Sequence, residues 1–416
     1  MKRKSLCVLL LLLVGCETAK WRRGNLHTHS LWSDGDDFPE MIVAWYRDNG
    51  YDFLALSDHN ILSRGEKWMK LKTAERRAGK KGLAKYRERF GDDWVDIRGE
   101  GDAQEIRLKT LEEFRPKFEA PGEFLLIEGE EITDHFEGHP VHMNASNLAE
   151  YIPPQGKGAK SVREVMKKNM DAVEAQAKEK ARRILAHLNH PNFHYAITAE
   201  DLAAVTNERY FEVFNGHPMV GQLGDASHPS VERLWDIANT LRLTVEECAP
   251  LYGIATDDSH NYHADKGSLS GRGWVMVRSK ELEAEPILAA MEAGDFYASS
   301  GVRLNDVSFD GKTVRVTIDA EDGVEYTTQF IGTLEDFDAS SEPRATTEGF
   351  ASRRYSNDVG AVLAEVKGRT ASYALTGKEL YVRAMVRSNK TVERPVWEDQ
   401  KEQAWTQPVG WRTRVE

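Results

Sequence analysis

The residues able to do chemistry sit in short motifs that recur along the chain. His27-Thr28-His29 places two imidazoles at i and i+2. In an extended segment those positions share a face, so both rings can reach one metal ion. Ser33-Asp34-Gly35 sets a carboxylate on the loop beside that pair. Ser57-Asp58-His59-Asn60 follows the apolar run Tyr51–Leu56, and Glu128-Gly129-Glu130-Glu131 ends the run Phe124–Ile127. Carboxylates at the end of a buried strand need cations. His142 in Val141-His142-Met143-Asn144, His190 in Asn189-His190-Pro191, and Asp257-Asp258-Ser259-His260 after Gly253–Thr256 complete the series, with Asp258 and His260 repeating the i, i+2 spacing. Histidine, aspartate and glutamate at six separate strand ends predict a metal centre. No Ser/His/Asp or Cys/His arrangement supplies a protein nucleophile instead.

Those strand ends imply the elements that carry them. The sequence predicts strands at Asn25–His27, Tyr51–Ser57, Phe124–Ile132, Val141–Ala145, Arg183–His187, Tyr210–Asn215 and Leu251–Thr256. Amphipathic helices at Pro39–Asn49, Ser161–Lys180 and Pro229–Leu241 lie between several of them, the first with Pro39 near its start and Gly50 past its end. Strand–helix alternation predicts a parallel α/β barrel, whose C-terminal rim is where chemistry is built. All 13 histidines fall between His27 and His263. From about Val302 the pattern changes to alternating strands, such as Val314–Ile318 and Leu380–Ser388, with Asp310-Gly311 and Asp322-Gly323 as turns. This predicts a smaller C-terminal β-sandwich-like domain over 302–416.

The motifs in this order resemble the signature of the PHP (polymerase and histidinol phosphatase) family. The likeness is carried by His27-Thr28-His29, Ser33-Asp34-Gly35, Ser57-Asp58-His59, Gly129-Glu130-Glu131-Ile132, His190-Pro191 and Asp258-Ser259-His260. It implies a distorted seven-stranded (β/α)7 barrel over 24–301, holding two or three metals. The implied ligands are His27, His29, Asp34, His59, Glu131, His142, His190, Asp258 and His260, with Glu131 bridging. His139 also follows the glutamate motif; His142 is preferred because it lies in the strand-like Val141–Ala145. The insertion at about 61–122, Phe296-Tyr297-Ala298-Ser299-Ser300-Gly301 and the β domain look more like the carbaryl-hydrolase-type branch than the small phosphatases.

Such a donor set, without thiolate, suits Zn2+, Mn2+ or Fe2+. Cations held close together lower the pKa of a shared water towards ~7, making hydroxide available as nucleophile on phosphorus or a carbonyl carbon. The expected function is therefore metal-dependent hydrolysis of a small phosphoester, with Glu131 and Asp258 at the reacting centre. Carboxylic or carbamic ester hydrolysis on the same centre is the alternative, and a catalytically silent lipid-anchored binding protein a second one. An amidohydrolase-type barrel also begins with HxH, but normally carries a bridging lysine where this chain has Glu131. His217, after the sixth strand, faces the same rim and either serves the leaving group or stabilises a turn. Asp58 and Asp257 are placed to orient neighbouring histidines. Arg107, Lys109 and Arg272 read as surface charges more than as partners of an anion, and the basic run over residues 66–90 as a solvated helix face more than as a lid.

The chain has 416 residues, 67 acidic and 55 basic, for a net charge of −12. That balance describes a globular protein and makes nucleic acid a poor partner. Lys2-Arg3-Lys4, the apolar run Leu6–Val14 and Gly15-Cys16 read as a signal peptide over residues 1–15. Leu13-Val14-Gly15-Cys16 resembles the lipobox of bacterial lipoproteins. The expectation is an exported protein tied to a membrane only through lipid on Cys16, with residues 16–23 as linker, at the periplasmic or outer cell surface.

Overall fold

The computed structural model describes residues 18–346, 349–350 and 352–415. The signal segment and Cys16 fall outside them. The fold is mixed α/β, with one large sheet and further small antiparallel sheets. Seven strands form the first part of the large sheet: β1 (Lys20–Asn25), β2 (Phe53–Leu56), β3 (Leu125–Phe136), β4 (His139–Ser146), β5 (Leu185–Leu188), β6 (Tyr210–Asn215) and β7 (Tyr252–Thr256). Their hydrogen-bonded order is the chain order. The pairs β1–β2, β2–β3, β5–β6 and β6–β7 are parallel. β4 departs from the expected alternation and runs antiparallel to both neighbours. Only Glu137 and Gly138 separate it from β3, both with positive φ (49° and 82°), and so tight a turn joins antiparallel strands only. The two edges of the seven-stranded set meet beyond the strands at the parallel bridge Thr28–Ser259, where His29 N donates to Ser259 O at 3.0 Å.

β2, β5, β6 and β7 are buried along their whole length, as parallel strands covered on both faces must be. Helices cover the outside, among them α1 (Pro39–Asp48), α4 (Val162–Lys180), α5 (Ala199–Ala204) and α6 (Val231–Thr244), with α2 and α3 in the segment 61–122. Ser161 caps α4 by accepting from Glu164 N at 3.2 Å. Its Val162, Val165, Met166, Met170 and Val173 repeat at helical spacing and enter the core with Ile132, Val141 and Leu188.

Residues 61–122 carry a small sheet of their own. Strands Lys67–Lys70, Ile97–Arg98 and Glu105–Leu108 form a small antiparallel sheet beside α2 (Leu71–Phe90) and α3 (Leu111–Phe118). Ala74, Ala78, Tyr86, Ile106 and Leu108 pack onto Leu31, Trp32 and Phe38 next to the metal motifs. The basic run is only partly a solvated face. Lys72, Arg87 and Arg89 pair at the surface with Asp102, Asp92 and Asp48, but Arg77 donates to Ser33 O at 2.8 Å and also to Gly35 O, gripping the loop that carries Asp34.

The C-terminal strands divide between an extension of the large sheet and smaller antiparallel sheets. From β1 the large sheet continues antiparallel through Trp274–Ser279, Phe296–Ser299, Lys401–Thr406, Glu379–Thr391, Tyr326–Leu334 and Ala361–Lys367. A second layer, Leu304–Phe309, Thr313–Ile318 and Thr370–Ala374, packs on this extension around Val314, Val316, Ile318, Phe330, Val382 and Val386. A buried ion pair ties the extension to α6: Arg383, 1% exposed, donates to Asp236 at 2.8 and 2.6 Å, and Tyr381 OH donates to the same carboxylate at 2.7 Å. Among the described residues no helix is long and apolar enough to cross a membrane.

Candidate metal centre

The nine side chains expected as ligands come together at one end of the strand set. Seven of them follow strands, but against the strand-end expectation Glu131 lies within β3 and His142 near the N-terminal end of the antiparallel β4. His27 and His29 lie just past β1 rather than in it. Asn25 turns the chain there, its Oδ1 accepting from His27 N at 2.9 Å while its Nδ2 donates to Gly273 O at 2.9 Å. The Ser33–Gly35 loop folds back over this segment. A Cβ at Gly35 would stand 2.2 Å from His29 O, so only glycine allows that approach. Asp58 holds the loop and does not orient His59: it accepts from Ser30 N (2.8 Å), Ser30 Oγ (2.7 Å), Ser33 N (3.0 Å) and Ser33 Oγ (2.5 Å). His190 and Asp258 are presented by left-handed backbone, φ 21° and 48°. Such conformations cost of order 1 kcal/mol each and cluster where function requires them.

Four groups of ligand atoms result: His29, Asp34, His59 and His260; His27, His29 and Asp258; Glu131, His142 and His190; and His27, His187 and Glu212. Asp258 Oδ1 is 3.2 Å from the Nε2 atoms of both His27 and His29. Glu131 lies 3.0 Å from His142 Nδ1, 2.6 Å from His59 Nδ1 and 3.6 Å from His190 Nε2. Asp34 is 3.4 Å from His59 Nε2 and 3.3 Å from His260 Nε2. These contacts are close but poorly aligned for hydrogen bonding. Among the described residues, His27 Nε2, both ring nitrogens of His29, Glu131 Oε2 and His142 Nδ1 are buried without a hydrogen bond. Buried polar atoms are normally satisfied, and lone pairs converging on one another are what a bound cation would satisfy. The donor set therefore fits divalent metal ions. His27 and His29 are sealed, whereas the Asp34 side chain is 57% exposed, so the centre opens to solvent on the Asp34 side.

The outer contacts have the character expected of metal ligands. His59 Nδ1 meets Thr133 Oγ1 at 2.6 Å, and His260 Nδ1 donates to Asp258 O at 2.8 Å, leaving each Nε2 towards Asp34. Asn189 Nδ2 donates to Glu131 Oε1 at 2.8 Å. Despite burial, the surrounding imidazoles hold the carboxyls of Glu131, Asp258 and Asp34 well below the usual carboxylate range. Burial lowers His59, but Glu131 and Asp34 outweigh it and push His59 up to about 11. Burial and the neighbouring His260 and His59 push His29 down to about 3. Glu130, on the other face of β3, accepts instead from Ile152 N at 2.7 Å.

The remaining expected residues are placed as follows. His139 packs at a tilt against Phe350 with ring centroids 4.4 Å apart and belongs to none of the four groups. His217 is half-buried with its ring 5.7 Å from that of His260, and its Nδ1 accepts from Met219 N at 3.2 Å. Asp257 accepts from Tyr46 OH (2.6 Å) and the backbone of Gly271, Arg272 and Gly273, not from a histidine ring. Arg272 and Lys109 are buried rather than on the surface, at 5% and 6% exposure. Arg272 donates to Gly216 O and Gly267 O, while Lys109 and Arg107 both pair with Asp96.

Two residues of the fourth group were not anticipated from the sequence. Glu212 stands in the buried strand β6 and His187 in β5, each flanked by apolar residues on both sides. A carboxylate inside an apolar strand must be paired, and that was the available signal.

No protein-family model and no curated relative matches this chain. Solved structures are similar to it at low identity. A two-domain protein of Bacteroides vulgatus containing a predicted PHP-like metal-dependent phosphoesterase matches at 15% identity and TM-score 0.38, over 94% of this chain and 95% of that one. A candidate metal-dependent phosphoesterase of Bifidobacterium adolescentis matches at 16% and 0.29, over 59% and 91%. An amidohydrolase of Chromobacterium violaceum, with bound sulfate and no metal, matches at 13% and 0.29, over 59% and 90%. Likenesses this distant carry no inference about activity.

Proposed function

We propose that this chain is a metal-dependent hydrolase of the PHP type acting on small phosphoesters. One observation carries the reading: His27, His29, Asp34, His59, Glu131, His142, His190, Asp258 and His260 converge, and atoms of His27, His29, Glu131 and His142 among them are buried without hydrogen bonds. They would hold two or three divalent cations such as Zn2+, Mn2+ or Fe2+. Bound there, such cations would acidify water and stabilise charge developing on a substrate oxygen. The seven strands β1–β7 and the Thr28–Ser259 bridge support reading the scaffold as a distorted seven-stranded barrel. The folded insertion and the C-terminal β layers support the carbaryl-hydrolase-like branch.

The chain's own residues then divide the work. Glu131 stands among five imidazoles and joins the groups of ligands, and Asp258 joins His27 to His29. Because His217 Nδ1 accepts a hydrogen bond, its proton resides on Nε2, from which it can be donated to a substrate or leaving-group oxygen. The exposed Asp34 side is the approach for substrate. The Lys2–Cys16 pattern supports export and a lipid anchor at Cys16.

The test is a screen of p-nitrophenyl phosphate, bis-p-nitrophenyl phosphate, p-nitrophenyl acetate and a p-nitrophenyl carbamate with added Mn2+ or Zn2+. Metal-dependent turnover of the phosphates is expected. Turnover of acetate or carbamate alone would transfer the reading to carbonyl esters, and a metal-loaded protein inert to all four would leave a binding protein.

A further inference from the structure

We propose that Glu212 is the positioning residue of this centre: it fixes the tautomer of His27 and ties the His27, His190 and Asp258 arms to one carboxylate. The inference rests on the metal-centre reading above. Glu212 sits in the middle of β6, 1% exposed. Its Oε1 accepts from His27 Nδ1 at 2.6 Å and Thr256 Oγ1 at 2.7 Å. Its Oε2 accepts from His190 N and Asn215 Nδ2, both at 2.7 Å. Asn215 Nδ2 also reaches Asp258 Oδ2 at 3.1 Å. Strand ends far apart in sequence thus share one anchor.

Thr256 Oγ1, His190 N and Asn215 Nδ2 donate to the two oxygens between them, and His27 Nδ1 is the fourth donor when both oxygens accept. An ionised carboxylate does this, whereas a carboxamide would set its NH2 against two donors. With Nδ1–H donated to Glu212, the lone pair of His27 lies on Nε2, which points at Asp258 Oδ1 (3.2 Å) and Glu131 Oε1 (3.7 Å). A carboxylate behind a ligating imidazole orients the ring and raises its basicity. The same cluster has a rival use, since His27, His187 and Glu212 lie close enough to hold a cation of their own. Against it, the Glu212 oxygens are already filled by aligned hydrogen bonds, and His27 would have to give up the shortest of them.

The test uses the whole protein, freed of metal and titrated with Zn2+ against a chromophoric chelator, with elemental analysis for stoichiometry and a melting curve of the metal-free form. Glu212→Gln is expected to bind the same number of cations, one of them roughly 10–100-fold more weakly. Thr256→Val, which keeps the carboxylate and removes one donor, should show a smaller loss in the same direction, and it decides the matter should Glu212→Gln not fold. A purely structural Glu212 would lower the melting temperature and leave the affinity of the folded protein intact, which overturns the proposal. So does the loss of one whole equivalent with unchanged affinity for the others, the mark of a separate site. Wild-type protein that binds no cation would remove the metal-centre reading and this inference together; tight wild-type binding matched by both variants would remove this inference alone.

Discussion

Glu131→Ala removes the carboxylate that most of the centre shares. Its oxygens lie 3.7 Å from His27 Nε2, 3.6 Å from His29 Nε2, 2.6 Å from His59 Nδ1, 3.0 Å from His142 Nδ1 and 3.6 Å from His190 Nε2. A ligand that binds only the folded state at 1,000 times its Kd stabilises it by about 4 kcal/mol per site. Unfolding entropy near the midpoint is about 2.1 cal/mol/K per residue, so the 416 residues give ~0.9 kcal/mol per degree. One saturated site therefore raises Tm by ~5 °C and two by ~9 °C. The assay is scanning calorimetry with and without Zn2+ or Mn2+ after chelation. Wild type should show the shift, and Glu131→Ala should lose most of it. Glu130→Ala is the control, because that side chain faces away and bonds Ile152 N; its metal-dependent shift should match wild type. No metal-dependent shift in wild type, or an undiminished one in Glu131→Ala, would refute the reasoning.

Two further outcomes follow from buried charges outside the centre. Glu40 is fully buried, takes hydrogen bonds from Tyr86 OH and Trp94 Nε1 on one oxygen only, and burial pushes its carboxyl up to about 7 from 4.5. A carboxyl raised on folding binds its proton more tightly in the folded state, so its stabilising effect is full below about pH 4.5 and is lost as pH rises to about 7. The span is about 3 kcal/mol. Glu40→Gln should thus gain on wild type between pH 5 and pH 8 in urea unfolding; a constant difference would contradict this. Asp236→Ala leaves buried Arg383 with only the Glu232 carboxylate, 3.9 Å away, and Tyr381 OH without the acceptor it uses. A loss of about 3–5 kcal/mol is expected, and a urea midpoint unmoved from wild type would show the pair to be dispensable.

Much of the scaffold was legible because strands and helices announce themselves locally. β6 spans the predicted Tyr210–Asn215, and α4 falls within a residue of its predicted start. β4 was readable as a strand but not in direction, because direction depends on the Glu137–Gly138 turn closing a hairpin. Arg77 was readable only as one charge in a basic run, because its partners are backbone carbonyls of a loop over forty residues away. Asp58 and Asp257 sit beside histidines in sequence, yet each is committed to backbone and hydroxyl donors instead. Adjacency in the chain is a poor guide to hydrogen bonding at a strand end, where successive side chains point to opposite sides.

By itself the sequence determined the kinds of donor, their order and their position after apolar runs, since those are properties of short segments. Only the tertiary structure decided which atoms meet. His27 and Glu212 are 185 residues apart and 2.6 Å from each other; Glu131 and Asn189, 58 apart, are at 2.8 Å. Such meetings depend on which strands lie side by side and on the stagger between them. Those are settled by packing the whole set of strands against its helices, and no local pattern encodes them.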